Sequence, residues 1–318
     1  MERTGALAPL IAKNGIGECI FALAAEIYPI CRSITGNGVR QTLDILGRYV
    51  PFLCHEIPTG TAVLDWEIPK EWNITDAYIQ NAQGERVIDF QRSNLHVLNY
   101  SSPVRRRMSF SELEAHIFTL PDQPDLIPYR TSYYHENWGF CMSHHQLAEL
   151  RDAGGEYNVV IESQLEPGAL TWGEYLHLGE SSDEVLLSAH VCHPSLANDN
   201  CSGLALLTML ARELAGTRTR LSYRFVLVPG TIGSIAWLAT NEAGLNRIKH
   251  GLVVSCVGDA GGPTYKRSRK GDALVDRAMA HVLREPGTSA NLLDFFPYGY
   301  DERQYCSDRK STRLNSSH

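Results

Sequence analysis

The chain has 318 residues, 43% of them hydrophobic and 20% charged, values that fit one large or two smaller globular domains and exclude a disordered or fibrous chain. Against 36 Asp and Glu stand 29 Lys and Arg, and the formal charge of -7 excludes a broadly basic nucleic-acid-binding surface. No apolar run approaches the ~18 residues of a membrane span. Residues 1–15 lack a signal-peptide pattern, and the 8 cysteines form no CxxC pair. These features predict a soluble, cytoplasmic protein with reduced thiols and neither a membrane nor a nucleic acid as partner.

In chain order, Ile16, Ile20, Leu23, Ala24 and Ile27 recur at helical spacing and predict an amphipathic helix from Gly15 to Tyr28. Leu43, Leu46 and Val50 predict a second over Val39 to Val50. The turn-rich connector Pro29 to Gly38 reads as helix punctuation rather than as a substrate-facing loop. From Pro51 to about Leu178 the pattern changes to short β runs: Thr61–Trp66, Asp76–Gln80, Arg86–Phe90 and Leu95–Leu98. Ser109 or Ser111 is placed to cap a short helix through Thr119, and Ser143 another over His144–Asp152. The aromatic stretch Tyr129 to Gly139 suits either a pocket wall or a loop packed on its own rings.

Beyond that stretch, apolar strands at Glu184–Ala189, Tyr223–Val228 and Leu252–Val257 alternate with helices at Ser202–Leu214 and Ile232–Ala239. Such alternation implies a sheet with helices on its faces and ligands beyond the carboxyl ends of the strands. The end, Lys310-Ser-Thr-Arg-Leu-Asn-Ser-Ser-His318, has one apolar residue and no period, and resembles a translated adapter scar. Other conspicuous groups receive plain readings: Arg105–Arg107 as a solvated turn, His144 and His145 as surface or cap residues, Cys201 and Cys256 as inert core thiols.

Chemistry concentrates between His190 and Gly203, where a strand ends at His190, a loop carries Cys192, His193 and Asp199, and Ser202-Gly203 opens a helix. Imidazole, thiolate and carboxylate gathered at a strand's carboxyl edge form a zinc ligand set. This segment resembles the His…Asp-Asn-x-Ser-Gly signature of the co-catalytic zinc aminopeptidases, the clan of bacterial leucyl aminopeptidase and glutamate carboxypeptidase. The resemblance implies that His190 is a zinc ligand, that Asp199 is the bridging carboxylate and that Asp259, after Val257-Gly258, is a further ligand. Asp301 falls where the clan has an Asp-His pair, with Glu302 as its neighbour here.

A closer resemblance is to bacterial aminopeptidase-like proteins associated with polysaccharide biosynthesis, which carry an inserted β-rich domain. It is borne by Cys31-Arg-Ser-Ile-Thr-Gly-Asn-Gly-Val-Arg40, His190 to Asn200, Val228-Pro-Gly-Thr-Ile-Gly-Ser234 and Asp301-Glu-Arg-Gln-Tyr-Cys306. The implied fold is α/β: a zinc-aminopeptidase-like mixed sheet flanked by helices, with a smaller β-rich insert. Residues 1–50 and 179–307 are expected to form the sheet domain, incomplete at its C-terminus, residues 51–178 the insert and 308–318 a non-native tail.

Three departures bear on activity. The clan's catalytic Asp, two residues after the first His, is Cys192, and a thiol does not orient an imidazole ligand as a carboxylate does. The clan's paired glutamates fall on Leu227-Val-Pro-Gly230, where no side chain is a base. The final His ligand falls beyond Cys306, in the stretch that reads as the scar. The expectation is about one zinc ion, held by His190, Asp199 and that lost His or completed by Asp259 or His193, bound weakly or not at all without the natural C-terminus, with Glu302 as a substitute base. Two functions follow from the resemblance: a metal-dependent hydrolase of a small peptide or amide substrate, or a non-catalytic binding protein on the peptidase scaffold.

Overall fold

The computed structural model describes residues 15–284, 289–297, 299 and 301–306. The tail expected at 308–318 lies outside the described residues. The first two helices are α1 (Ile16–Ile27) and α2 (Asn37–Gly47), close to the predicted spans. They are followed by β1 (Leu53–Pro58), β2 (Glu71–Gln80), β3 (Arg86–Asp89), β4 (Val104–Ser109), α3 (His144–Ala153), β5 (Glu156–Glu166) and β6 (Ala169–His177). The α/β alternation then runs β7 (Glu184–His190), α4 (Gly203–Leu214), β8 (Ser222–Val228), α5 (Ile232–Thr240) and β9 (Ile248–Val253).

The large sheet has five strands in the order β1-β6-β8-β7-β9. β7 pairs in parallel with β8 and β9, whereas β6 pairs antiparallel with β1 and β8, so the sheet is mixed. Alternate side chains of its central strands serve two cores, as a period of two requires. Phe225 and Leu227 of β8 join Leu187 and Ala189 of β7 under α1, α2 and α4. Val226, Val228 and Leu186 face the other way, against Trp237 of α5 and the residues of the insert. The second sheet, β3-β2-β5-β4, is antiparallel throughout.

The boundaries expected at 51 and 178 move inward, because β1 and β6, both from within the expected insert, are strands of the large sheet. β1 is largely exposed and β6 largely buried, so neither shows a clean apolar-polar alternation, and their pairing partners lie far away in sequence. The expected strand Leu95–Leu98 is instead a helical turn at Asn94–His96 capped by Ser93. Thr61–Trp66 folds as a hairpin of two short strands, Ala62–Val63 and Trp66–Glu67. Arg105–Arg107 lies in β4, not in a turn, and Arg105 and Arg107 pair with Glu162 and Glu156 of β5. Ser143 caps as predicted, and of Ser109 and Ser111 it is Ser109 that caps, each within a reciprocal capping box, although the helix after Ser109 ends at Leu113 and Ile117–Phe118 is a short strand. Cys201 is buried, but Cys256 is exposed because β9 ends at Val253 and the chain beyond it is loop.

Candidate metal centre

β7 delivers His190, its last residue, to the carboxyl edge of the sheet with its side chain fully buried. The loop that follows turns back over this edge. Asp199 sits in an irregular helical turn, Ala197–Ser202, and its Oδ1 lies 2.6 Å from His190 Nε2 while its Oδ2 lies 3.5 Å from His193 Nε2. The two imidazole rings are 4.8 Å apart. His190, His193 and Asp199 thus offer ligand atoms that all lie within 4.8 Å of one another.

The rest of the Asp-Asn-x-Ser-Gly segment is the frame for Asp199. Asn200 Nδ2 donates to the carbonyl of Val254 at 3.1 Å and to that of His190 at 3.4 Å, tying together the ends of β7 and β9. Ser202 Oγ donates to the Asn198 carbonyl and accepts from the Val257 N–H, which pins the loop after β9 to the same turn. Gly203 is required by close approach: a Cβ there would stand 2.4 Å from Asn200 Oδ1 and 2.6 Å from the Val254 oxygen. Asp259, one of the expected ligands, belongs to this frame, since its Oδ2 accepts from Asn198 Nδ2 at 2.6 Å and its Oδ1 from the Gly261 N–H. Of the two alternatives for completing the site, His193 stands in the trio and Asp259 does not.

Donors around one tetrahedral zinc, each ~2.0–2.2 Å from the ion, lie ~3.3–3.5 Å from one another. The His193–Asp199 pair has this spacing, and the His190–Asp199 pair opens by under ~1 Å to reach it. Burial, and then the neighbouring His190, hold the His193 imidazole down to about 4, so its ring is neutral as a metal ligand must be. Two imidazoles and a carboxylate, with a fourth position left open, fit a single zinc ion.

Cys192 packs against His193 and Gly230. Its Sγ lies 3.2 Å from His193 Nδ1 and accepts from the Gly230 N–H at 3.1 Å, and burial pushes its thiol up to about 12. Asp301 is fully buried on the same side. Its Oδ1 accepts from the Thr231 N–H at 2.7 Å, its Oδ2 has no hydrogen-bond donor among the described residues, and burial raises its carboxyl above the usual range. The expected base, Glu302, forms an ion pair with Lys266 instead of joining the trio. From the inserted stretch, Tyr129 reaches the loop: its ring is 5.0 Å from that of His193, and its hydroxyl bonds that of Tyr133 at 2.8 Å. The aromatic stretch is therefore in part a wall of the site. Its contact with His193 depends on the packing of the insert, which no spacing in the sequence reports.

Comparison with known proteins places the chain in a family. The family described as a domain of unknown function, DUF4910, matches residues 21–311. A Clostridium acetobutylicum protein named for polysaccharide biosynthesis and an aminopeptidase-like domain is 52% identical over 291 residues, 92% of this chain and 67% of its own length. A crystal structure designated a peptidase from C. acetobutylicum superposes with a TM-score of 0.93 at 48% identity, over 97% of this chain and 73% of that one. BSAP, a zinc aminopeptidase from Bacillus subtilis, shares the fold at 12% identity, with a TM-score of 0.59 over 96% of this chain and 89% of its own. The chain belongs to the DUF4910 family, and its mixed sheet flanked by helices is the aminopeptidase-like fold.

Proposed function

We propose that this protein is a metal-dependent hydrolase of aminopeptidase type, acting on a peptide or amide bond, with one zinc ion held by His190, His193 and Asp199. The observation that carries this reading is the convergence of those three donors at the carboxyl edge of the sheet. Zinc in such a site supplies Lewis acidity towards a scissile carbonyl and towards water. The protein's own part is to keep the His193 ring neutral, to bury both imidazoles, to hold the Asp199 carboxylate between them, and to close the His193 side with Tyr129. Glu302 remains the proposed proton acceptor and takes that role only when its pair with Lys266 opens.

One observation favours the alternative, a binding protein that has kept the fold without turnover. Where the resemblance calls for two glutamates, the chain after β8 offers the N–H groups of Gly230 and Thr231, already taken by Cys192 and Asp301. Calorimetric titration of dialysed protein with zinc tests the metal reading, which expects about one ion per chain and no binding by H193A or D199A. Absence of binding to the native sequence at micromolar zinc overturns it. A screen of aminoacyl and N-acyl amino-sugar substrates on the zinc-loaded protein, with a chelator control, then separates hydrolase from binder.

A further inference from the structure

Arg32 lies in the connector between α1 and α2, 161 residues before the loop that it touches, and is 1% exposed. Its Nε donates to the His193 carbonyl at 2.7 Å. Its Nη2 donates to the Pro194 carbonyl and to Cys201 Sγ, each at 3.2 Å. Its Nη1 donates to the Ile27 carbonyl at 2.6 Å and to Thr42 Oγ1 at 3.3 Å. None of these partners is a carboxylate. A buried cation without a counter-charge is costly, and an apolar side chain of similar size would fill the same volume at less cost. What an apolar residue cannot supply is a rigid planar fork that bonds several carbonyls at once.

The partners divide into two groups. Ile27 and Thr42 belong to α1 and α2, whereas His193, Pro194 and Cys201 belong to the loop that carries the metal donors. The loop also meets this region through Ser195, whose Oγ donates to the Tyr28 carbonyl at 2.9 Å and whose N–H donates to Asn94 Oδ1, while Asn94 Nδ2 donates to the Pro29 carbonyl and Asn99 Nδ2 to the Arg32 carbonyl. We infer that Arg32 is a positioning residue for the metal centre. Its guanidinium fixes the carbonyls of His193 and Pro194 against α1 and α2, and this sets where the His193 ring stands relative to Asp199 and His190. The connector motif Cys31-Arg-Ser-Ile-Thr-Gly-Asn-Gly38 is then more than helix punctuation. Arg32 touches neither a ligand atom nor a substrate, and it acts through the backbone of the His193 ligand. The inference rests on the metal reading above.

Cobalt(II), whose visible spectrum reports coordination geometry, is the probe. The native protein, R32K, R32Q and a core truncation remote from the loop, L113A, are titrated with cobalt(II) and zinc, and their thermal unfolding is recorded. R32K keeps the charge but not the fork, so both Arg32 variants are expected to bind metal 10–100-fold more weakly, with an altered cobalt spectrum. L113A is expected to unfold at lower temperature with native affinity and spectrum, which separates positioning from mere stability. Folded R32K and R32Q with native affinity and spectrum overturn the inference while leaving the metal reading intact. Failure of the native protein itself to bind overturns both. If neither Arg32 variant folds, the Arg32 Nε–H resonance of the native protein decides. Protection from exchange and a shift on adding zinc support the positioning role, and an unprotected, unresponsive resonance refutes it.

Discussion

Among individual residues, the Asp-Asn-x-Ser-Gly segment separates into one chemical group and three that hold it, joined by the preceding Asn198. Asp199 faces two imidazoles, while Asn198, Asn200, Ser202 and Gly203 tie the turn to the strand ends around it. G203A is therefore expected to destabilise the protein by ~1–3 kcal/mol through overpacking against Asn200 and Val254, and to weaken zinc binding in the fraction that folds. Denaturant unfolding and zinc calorimetry on the same sample check both. C192A removes the acceptor of the buried Gly230 N–H and a partner of His193, at an expected cost of ~1–3 kcal/mol. For E302Q the expected outcome is unchanged zinc stoichiometry, because the carboxylate is engaged by Lys266 and not by the donor trio. Loss of the ion in E302Q would return Glu302 to the metal centre.

At the level of elements, polar groups within the sheet tie β6, β7 and β8 to one another near the amino ends of β7 and β8, the end of the sheet opposite His190. Arg224 of β8 bonds Glu184 of β7 at 2.5 and 3.0 Å and pairs with Glu174 of β6, which also accepts from Trp237 Nε1 of α5. R224M leaves two buried carboxylates without their shared cation, and a loss of ~3–5 kcal/mol in denaturant unfolding is expected. α2 is fastened to the second sheet in a comparable way. Arg40 bonds both oxygens of Glu71, and this pair, together with the Ala169 N–H and Asn73, outweighs burial and holds the Glu71 carboxyl down to about 2. A carboxylate with a depressed folded value stabilises fully above its unfolded value of ~4.3 and loses that contribution as pH falls towards the folded one. The stability difference between the native protein and E71Q is therefore expected to be constant above pH ~5 and to shrink between pH ~4 and ~2. A gap that persists to pH ~2 contradicts the assignment.

In the molecule as a whole, the stretch between β1 and β6 is not an appendage. Trp72, Ile79, Val159 and Ile161 of the second sheet share one buried cluster with Leu186, Val226, Val228 and Trp237 of the α/β part. The proposed metal site lies where these parts meet, with His190 from the sheet, His193 and Asp199 from its loop, and Tyr129 from the insert. A ligand that binds only the folded state stabilises it by mass action, ~2.7 kcal/mol at a hundredfold excess over Kd. Zinc is expected to raise the unfolding temperature of the native protein by several degrees and to leave D199A and H193A unmoved, as a thermal shift assay would record. Among the described residues no helix is long and apolar enough to cross a membrane.

The α/β alternation, both serine-capped helices and the pairing of His190 with Asp199 were legible in the chain, because each is written in local spacing or in a contiguous motif. β1 and β6 were not legible, since a largely exposed strand and a largely buried one both lack the alternation that marks a strand locally and take their identity from distant partners. The same reason governs the site. Asp259 and Glu302 have the right chemistry, but folding gives Asp259 to Asn198 and Glu302 to Lys266. His193, next to a conspicuous Cys192, becomes the third donor because Arg32 and Tyr129, 161 residues upstream in one case and on the insert in the other, close around it. Residue type and local spacing show which groups are able to bind a metal. Which of them meet is settled by long-range packing, since donors must come within a few ångströms of one ion and a contact at that range between remote segments leaves no local periodicity behind.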